Sequence, residues 1–242
     1  MAYATHRRNI VLQNYDEEDL IRRHKKITQY LIKQGFTEYC ANKYSTAVRI
    51  LTANEIDEEK SGIDTVTMIR NYWQTGKDYQ NPFPFGIYYG NYQFESIGGI
   101  ARAIENFIRK RAEFDGPFNP NKTLYRGLSF ARKSKYFKQL ISLQVGKVVK
   151  TEMPFCTSSD RFIADTFICK QENSILMRFV GGFERTASVE DLTEVNSEHE
   201  VLLGRNSKLK LISKKIQEQI DHIDYIRQKE TKPLYVLTFE EA

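Results

Sequence analysis

Cysteine is scarce in this chain of 242 residues: Cys40, Cys156 and Cys169 are all there is, at no paired spacing. An odd, small set argues against a disulfide framework and points to a reducing, cytoplasmic setting. The four histidines, His6, His24, His199 and His222, make no metal-ligand pattern with the cysteines, so no metal is expected. No apolar run approaches the roughly 20 residues that a membrane span needs. The opening stretch MAYATHRRNIVLQNYDEED lacks the apolar segment of a secretion signal, so no membrane partner is expected. No GxGxxG fingerprint occurs, which argues against a Rossmann dehydrogenase. Internal repeats and low-complexity tracts are also missing.

What is present suits a folded domain. Hydrophobic residues make up 40% and aromatic residues 12%, enough for a real core, and 28% charged residues fit a globular surface rather than a disordered chain. The net charge of +5 favours acidic or phosphorylated partners, but it is too mild to establish nucleic-acid binding.

The first part of the chain reads as helices. Asp16 caps a helix over 16–34, Leu20, Ile27 and Leu31 recur on one face, and Gly35 stops it. Further helices are expected from Thr37 to about Leu51, over about 62–74 with the lone Trp73, and over 96–114 with Ile97, Ile100, Ile104, Phe107 and Ile108 on one face. Between the last two, the Pro- and Gly-punctuated, aromatic-rich stretch 79–94 is expected to be an ordered connection. After residue 122 short β-rich runs take over, at 123–129, 146–151, 174–180, 198–203, 208–212 and 234–239. A short helix is expected over 160–171, and 214–230 reads as helix-like or as an insertion. Helices first and strands afterwards is an α+β plan, divided into an N-terminal helical lobe (1–94) and a strand-rich core (95–242).

Three motifs carry chemistry. In EHEVLL, Glu198 and Glu200 on a strand share one face, about 7 Å apart, with His199 turned away. Exposure on a sheet edge would account for the pair. So would service to an oxocarbenium-like centre, because glycosidic bond cleavage uses two acids with separate tasks. A different environment for each would separate their pKa values and roles.

In TLYRGL, Arg126 interrupts an apolar strand. An arginine there is costly unless it meets an anion, and its planar fork suits a phosphate or a structural ion pair. Gly127 beside it permits close backbone approach. In PFCTSSD, the hydroxyls Thr157, Ser158 and Ser159 precede a helix, and Ser159 or Asp160 is placed to cap it. No histidine lies nearby in sequence to activate a serine, and Cys156 reads as a packing residue.

The ordered set resembles the mono-ADP-ribosyltransferases of the Arg–Ser–Glu class, the class of C2/iota-type toxins, vertebrate ecto-enzymes and T-even phage modification enzymes. TLYRGL is similar to their first-strand arginine motif, FCTSS to their aromatic-x-Ser-Thr-Ser motif, and EHEVLLGRNSKLKLI to their Glu-x-Glu strand with the turn and strand after it. The resemblance covers about residues 95–240. It implies a split, NAD-binding β-sandwich core, with NAD as substrate and no metal.

By the same resemblance, Arg126 would hold NAD phosphate and Gly127 would present backbone to the nicotinamide side. Thr157, with Ser158 and Ser159, would line the cofactor and support Glu200. Glu200 would bond the nicotinamide ribose and stabilise the oxocarbenium ion, while Glu198 would engage the acceptor, arginine being the acceptor that goes with glutamate there. Residues 181–197 would meet a target protein, for example host transcription or translation machinery, and Phe183 would touch the substrate or pack. Thr157 departs from the usual serine by a methyl that stiffens χ1, and Ser158 replaces the usual middle threonine.

Two other functions fit the same residues. An NAD glycohydrolase would use water as the acceptor. A non-catalytic module would bind nucleic acid through Lys208, Lys210, Lys214 and Lys215, although such a run also suits a solvated face.

Overall fold

A computed structural model describes residues 25, 28–53, 65–78, 96–168, 173–189, 199–223 and 229–242. The chain divides into two compact units, residues 1–110 with 189–196 and residues 111–188 with 197–242.

The first unit is helical. A helical segment over 28–33 ends on Gly35 at φ 88°. The Gly35 N–H donates to Ile32 O at 2.9 Å and the Phe36 N–H to Leu31 O at 3.1 Å. That is a Schellman closure, and only glycine adopts its left-handed residue without strain. Buried Leu31 and Phe36 are the apolar pair expected at such a stop. Helix α1 (Glu38–Ala53) starts one residue after Thr37, whose Oγ1 accepts from the Cys40 N–H at 3.3 Å. Helix α2 spans Thr65–Thr75 and carries buried Trp73. Helix α3 (Ile97–Asp115) opens on Ser96, whose Oγ accepts from the Gly99 N–H. Its stripe Ile97, Ile100, Ile104, Phe107 and Ile108 is buried, as its spacing requires. The expected Asp16 cap and the stretch 79–94 lie outside the described residues.

The second unit is built on eight strands: β1 (Leu124–Phe130), β2 (Val148–Lys150), β3 (Phe155–Ser158), β4 (Asn173–Phe179), β5 (Thr186–Ser188), β6 (Glu200–Leu203), β7 (Lys208–Ile223) and β8 (Lys229–Glu241). Their order is β2-β7-β8-β4-β1-β3-β6-β5. All neighbours are antiparallel except β4 and β8. The joint in the middle is thin. β1 pairs with β4 from Leu124↔Phe179 to Phe130↔Asn173, whereas β1 and β3 share a single pair, Tyr125↔Ser158. The sheet is thus a five-stranded half and a three-stranded half that meet at one point.

One apolar core serves both halves. Leu124, Leu128, Met177, Phe179, Leu237 and Phe239 come from the larger half, and Val201 and Leu203 from the smaller. Phe155 of β3 meets Phe179 of β4 ring to ring at 5.7 Å. Two half-sheets over one core make a split sandwich, the expected fold class. Helix α4 (Lys135–Ser142), capped by Ser134, adds Phe137 and Leu140 to this core. Helix α5 (Arg161–Asp165), capped by Asp160 as the sequence suggested, lies on the opposite face with Ala164, Ile168, Leu176, Leu234 and Val236.

Three local expectations change. Residues 214–223 and 229–230 belong to strands, not to a helix. Ile216, Ile220 and Ile223 have helical spacing, but pairing from Ser213↔Thr238 to Ile223↔Lys229 overrides it, with register shifts at Leu211/Ser213 and Gln219/His222. Thr157 and Ser158 of the hydroxyl run belong to strand β3, too short to announce itself by alternation. Strand β6 begins at Glu200, not at residue 198, because His199 before it leaves extended backbone at φ 45°; Glu198 itself lies outside the described residues.

Candidate active site

Register brings the candidate residues to one end of the second unit. β1 starts there, β3 ends there and β6 starts there. Across the ladder, Tyr125 of β1 is opposite Ser158 of β3, and Ser158 is opposite Glu200 of β6. Directly opposed residues project to the same side of a sheet. Ser158 and Glu200 therefore face the same way, away from the shared core that takes Val201 and Leu203. Both are buried, Glu200 to 3% exposure. A carboxylate this deep at a strand end is costly unless a role or a partner offsets it.

Backbone bonds fix this corner. The Ser159 N–H donates to His199 O at 3.1 Å, extending the β3–β6 contact by one residue. The Asp160 N–H donates to Ser158 Oγ at 3.0 Å, and Asp160 Oδ1 accepts from the Phe162 N–H at 2.8 Å. The hydroxyl run thus both flanks Glu200 and turns the chain into α5. Thr157 is buried, and its Oγ1 donates to Val201 O at 2.7 Å. It holds the residue immediately after Glu200 through the backbone, while Ser158 is the hydroxyl residue in register with the carboxylate.

Arg126 is one residue along from Tyr125 and faces the other way. Its Nη1 donates to Cys156 O at 2.6 Å, and its guanidinium carbon is 5.0 Å from the centre of the Phe155 ring. Phe155 and the Cys156 carbonyl thus position a half-buried cation across the thin joint. Among the described residues no salt bridge to Arg126 is formed, so its planar donor fork retains donors for an anion. Neither the aromatic platform nor the carbonyl anchor was evident from the sequence, because both require β3 to be a strand beside β1.

Gly127 faces α5. A methyl group on it would collide with the carbonyl of Ala164 and crowd Ile168. Beside it, Ser129 Oγ is 2.7 Å from the carbonyls of both Phe167 and Ile168. Close helix packing is therefore a sufficient cause for the glycine. Phe183 is fully buried in the shared core, against Phe179 at 6.1 Å, so it packs rather than meeting a substrate. Glu198 lies outside the described residues, as do residues 190–197 of the expected target loop; residues 186–188 of that loop are strand β5. Among the described residues no helix is long and apolar enough to cross a membrane, and no group of His, Cys, Asp and Glu forms a metal site.

No protein-family model and no curated protein matches the chain. Solved structures do. The ADP-ribosyltransferase HopU1 of Pseudomonas syringae pv. tomato aligns over 94% of this chain and 89% of its own, at TM-score 0.57 and 16% identity. The chain has the fold of the ADP-ribosyltransferases. Exoenzyme S from Pseudomonas aeruginosa, solved with human 14-3-3 protein beta and Carba-NAD, aligns over 93% of this chain and 88% of its own, at TM-score 0.51 and 13% identity. Plx2a, an ADP-ribosyltransferase toxin from Paenibacillus larvae, aligns over 95% and 98%, at TM-score 0.50 and 14% identity. At these identities the likeness is one of fold. The split sandwich places Arg126, Thr157, Ser158 and Glu200 of this chain at a common end.

Proposed function

We propose that the protein is an NAD-dependent mono-ADP-ribosyltransferase that transfers ADP-ribose to a protein side chain, arginine before others, and releases nicotinamide. The catalytic core is assigned to residues 95–242. The observation that carries this is Glu200, buried at the start of β6 in register with Ser158, with Arg126 held at the same end of the sheet. The fold likeness supports it, and one of the similar structures holds Carba-NAD.

In this reaction the bond between nicotinamide and ribose C1′ breaks and a bond from C1′ to an acceptor nitrogen forms, the acceptor giving up a proton. Positive charge develops on the ribose in between. A fixed buried carboxylate lowers the cost of that charge. Glu200 is assigned this task, Arg126 the NAD phosphate, Ser158 and Ser159 the corner against which the ribose rests, and Thr157 the anchoring of β6. Glu198 is assigned to the acceptor nitrogen.

The test is incubation of the protein with labelled NAD and a bacterial lysate, alongside Glu198→Ala and Glu200→Ala variants. Labelled protein bands from the wild type that vanish in both variants support transfer. Nicotinamide release without bands in any lysate would convert the assignment to glycohydrolase. Absence of both protein bands and nicotinamide release would sink it.

A further inference from the structure

Strand β4 reads NSILMRF, and Arg178 is a charge set among positions that are otherwise buried from Ser174 to Phe179. β4 is a central strand, flanked by β1 and β8. In register, Arg178 is opposite Tyr125 on one side and buried Thr238 on the other. The row continues through Ser158 to Glu200. No carboxylate stands in this row before Glu200, three strands away. Among the described residues Arg178 forms no salt bridge and no hydrogen bond through its side chain. A half-buried guanidinium on a central strand, with no anion beside it among the described residues, carries a desolvation cost that a planar anion would offset.

Place and reach identify that anion. Strand spacing puts the Arg178 and Glu200 backbones about 15 Å apart along the row, and a long side chain shortens that distance. If Glu200 stands at the ribose whose C1′ reacts and the dinucleotide runs along this row, the diphosphate lies one ribose further on, toward Arg178. Arg126 approaches that region from one side of β1. Arg178 approaches from the side on which Tyr125 lies. We infer that Arg178 is a second arginine for the diphosphate of the dinucleotide, a binding residue distinct from Arg126. This rests on the NAD assignment above.

ADP-ribose, which holds the diphosphate and cannot react further, separates the two. Titrations use the full chain with ADP-ribose, followed by calorimetry, for wild type, Arg178→Met and Arg178→Lys, with thermal melts of each. The expected result is a roughly ten- to hundredfold loss of ADP-ribose affinity in Arg178→Met, the range for a hydrogen bond to a charged group. Arg178→Lys should lie between, and the melting temperature of Arg178→Met should not fall, since the variant removes a half-buried charge. In turnover, KM for NAD should rise by the same factor with kcat little changed. Unchanged ADP-ribose affinity in Arg178→Met would overturn the inference, and so would a loss of affinity accompanied by a large drop in melting temperature. A wild type that binds no ADP-ribose and turns over no NAD would overturn the NAD assignment itself, a result distinguishable from both.

Discussion

Ser158 on β3 and Glu200 on β6 are direct partners across an antiparallel ladder, and both are buried. The carboxylate is therefore placed by a sheet rather than by a loop. Its position is fixed by the Thr157 hydroxyl on Val201 O and by the Ser159 N–H on His199 O, one bond on each side of it. A site built on strands holds its geometry without waiting for a ligand.

Glu200→Gln keeps the shape and removes the charge. Transfer and nicotinamide release should both fall by on the order of a hundred- to a thousandfold, the scale for losing one fixed electrostatic group in a transition state. The melting temperature should hold or rise, since a buried charge is gone. Rates with labelled NAD, set beside a thermal melt, check both parts.

Glu198→Ala should divide the two activities. Protein labelling should disappear while nicotinamide release continues, if Glu198 serves the acceptor and Glu200 serves the ribose. Equal loss of both signals would mean that the carboxylates do not have separate tasks.

Thr157→Val should cost about 1–2 kcal/mol of stability, because Val201 O loses its buried donor. Thr157→Ser should restore most of that, and transfer activity should follow the same order. Urea denaturation of the three proteins measures it.

Gly127→Ala should destabilise by about 1–3 kcal/mol, the usual scale of overpacking, since its methyl meets a backbone carbonyl of α5 and not a flexible side chain. Chemical denaturation would detect this without any substrate. Full stability with impaired NAD turnover would instead place the ligand, not α5, against this residue.

Glu241 gives a pH dependence. Its carboxyl is pushed above the usual glutamate range, first by burial and next by the charge of Glu184, against a lowering hydrogen bond from the Glu184 N–H at 2.8 Å. A raised folded pKa means that the folded state holds the proton more tightly than the unfolded one. Stability from this group is present below the unfolded pKa and is lost as pH rises through the folded pKa. Melting temperatures of wild type and Glu241→Gln across mildly acidic pH should converge at the acid end, with the variant gaining as pH rises. The effect should be small, because the group is partly solvated.

Much of the first unit was legible because its determinants are local. Gly35 closes a helix, Thr37 and Ser96 open two others, and the Ile97–Ile108 stripe needs only helical spacing. Six of the strands were legible, β7 in its first part only, from short β-rich runs. Strand β3, strand β5 and the upper part of β7 were not, because each is a strand only by virtue of its neighbour. FCTS has too few residues for a period, and the isoleucines of β7 have helical spacing until β8 pairs with them.

The sequence by itself determined the chemical inventory: an arginine in an apolar strand, a run of hydroxyls, and a carboxylate heading a strand. It also determined their order, which carried the resemblance. Tertiary structure alone decided how they meet. The Tyr125↔Ser158↔Glu200 row, the Phe155 ring beneath Arg126 and the place of Arg178 opposite Tyr125 all depend on strands that are distant in sequence becoming neighbours. Local propensity cannot encode that, because cross-strand register is set by burying one shared core from both halves of the sheet.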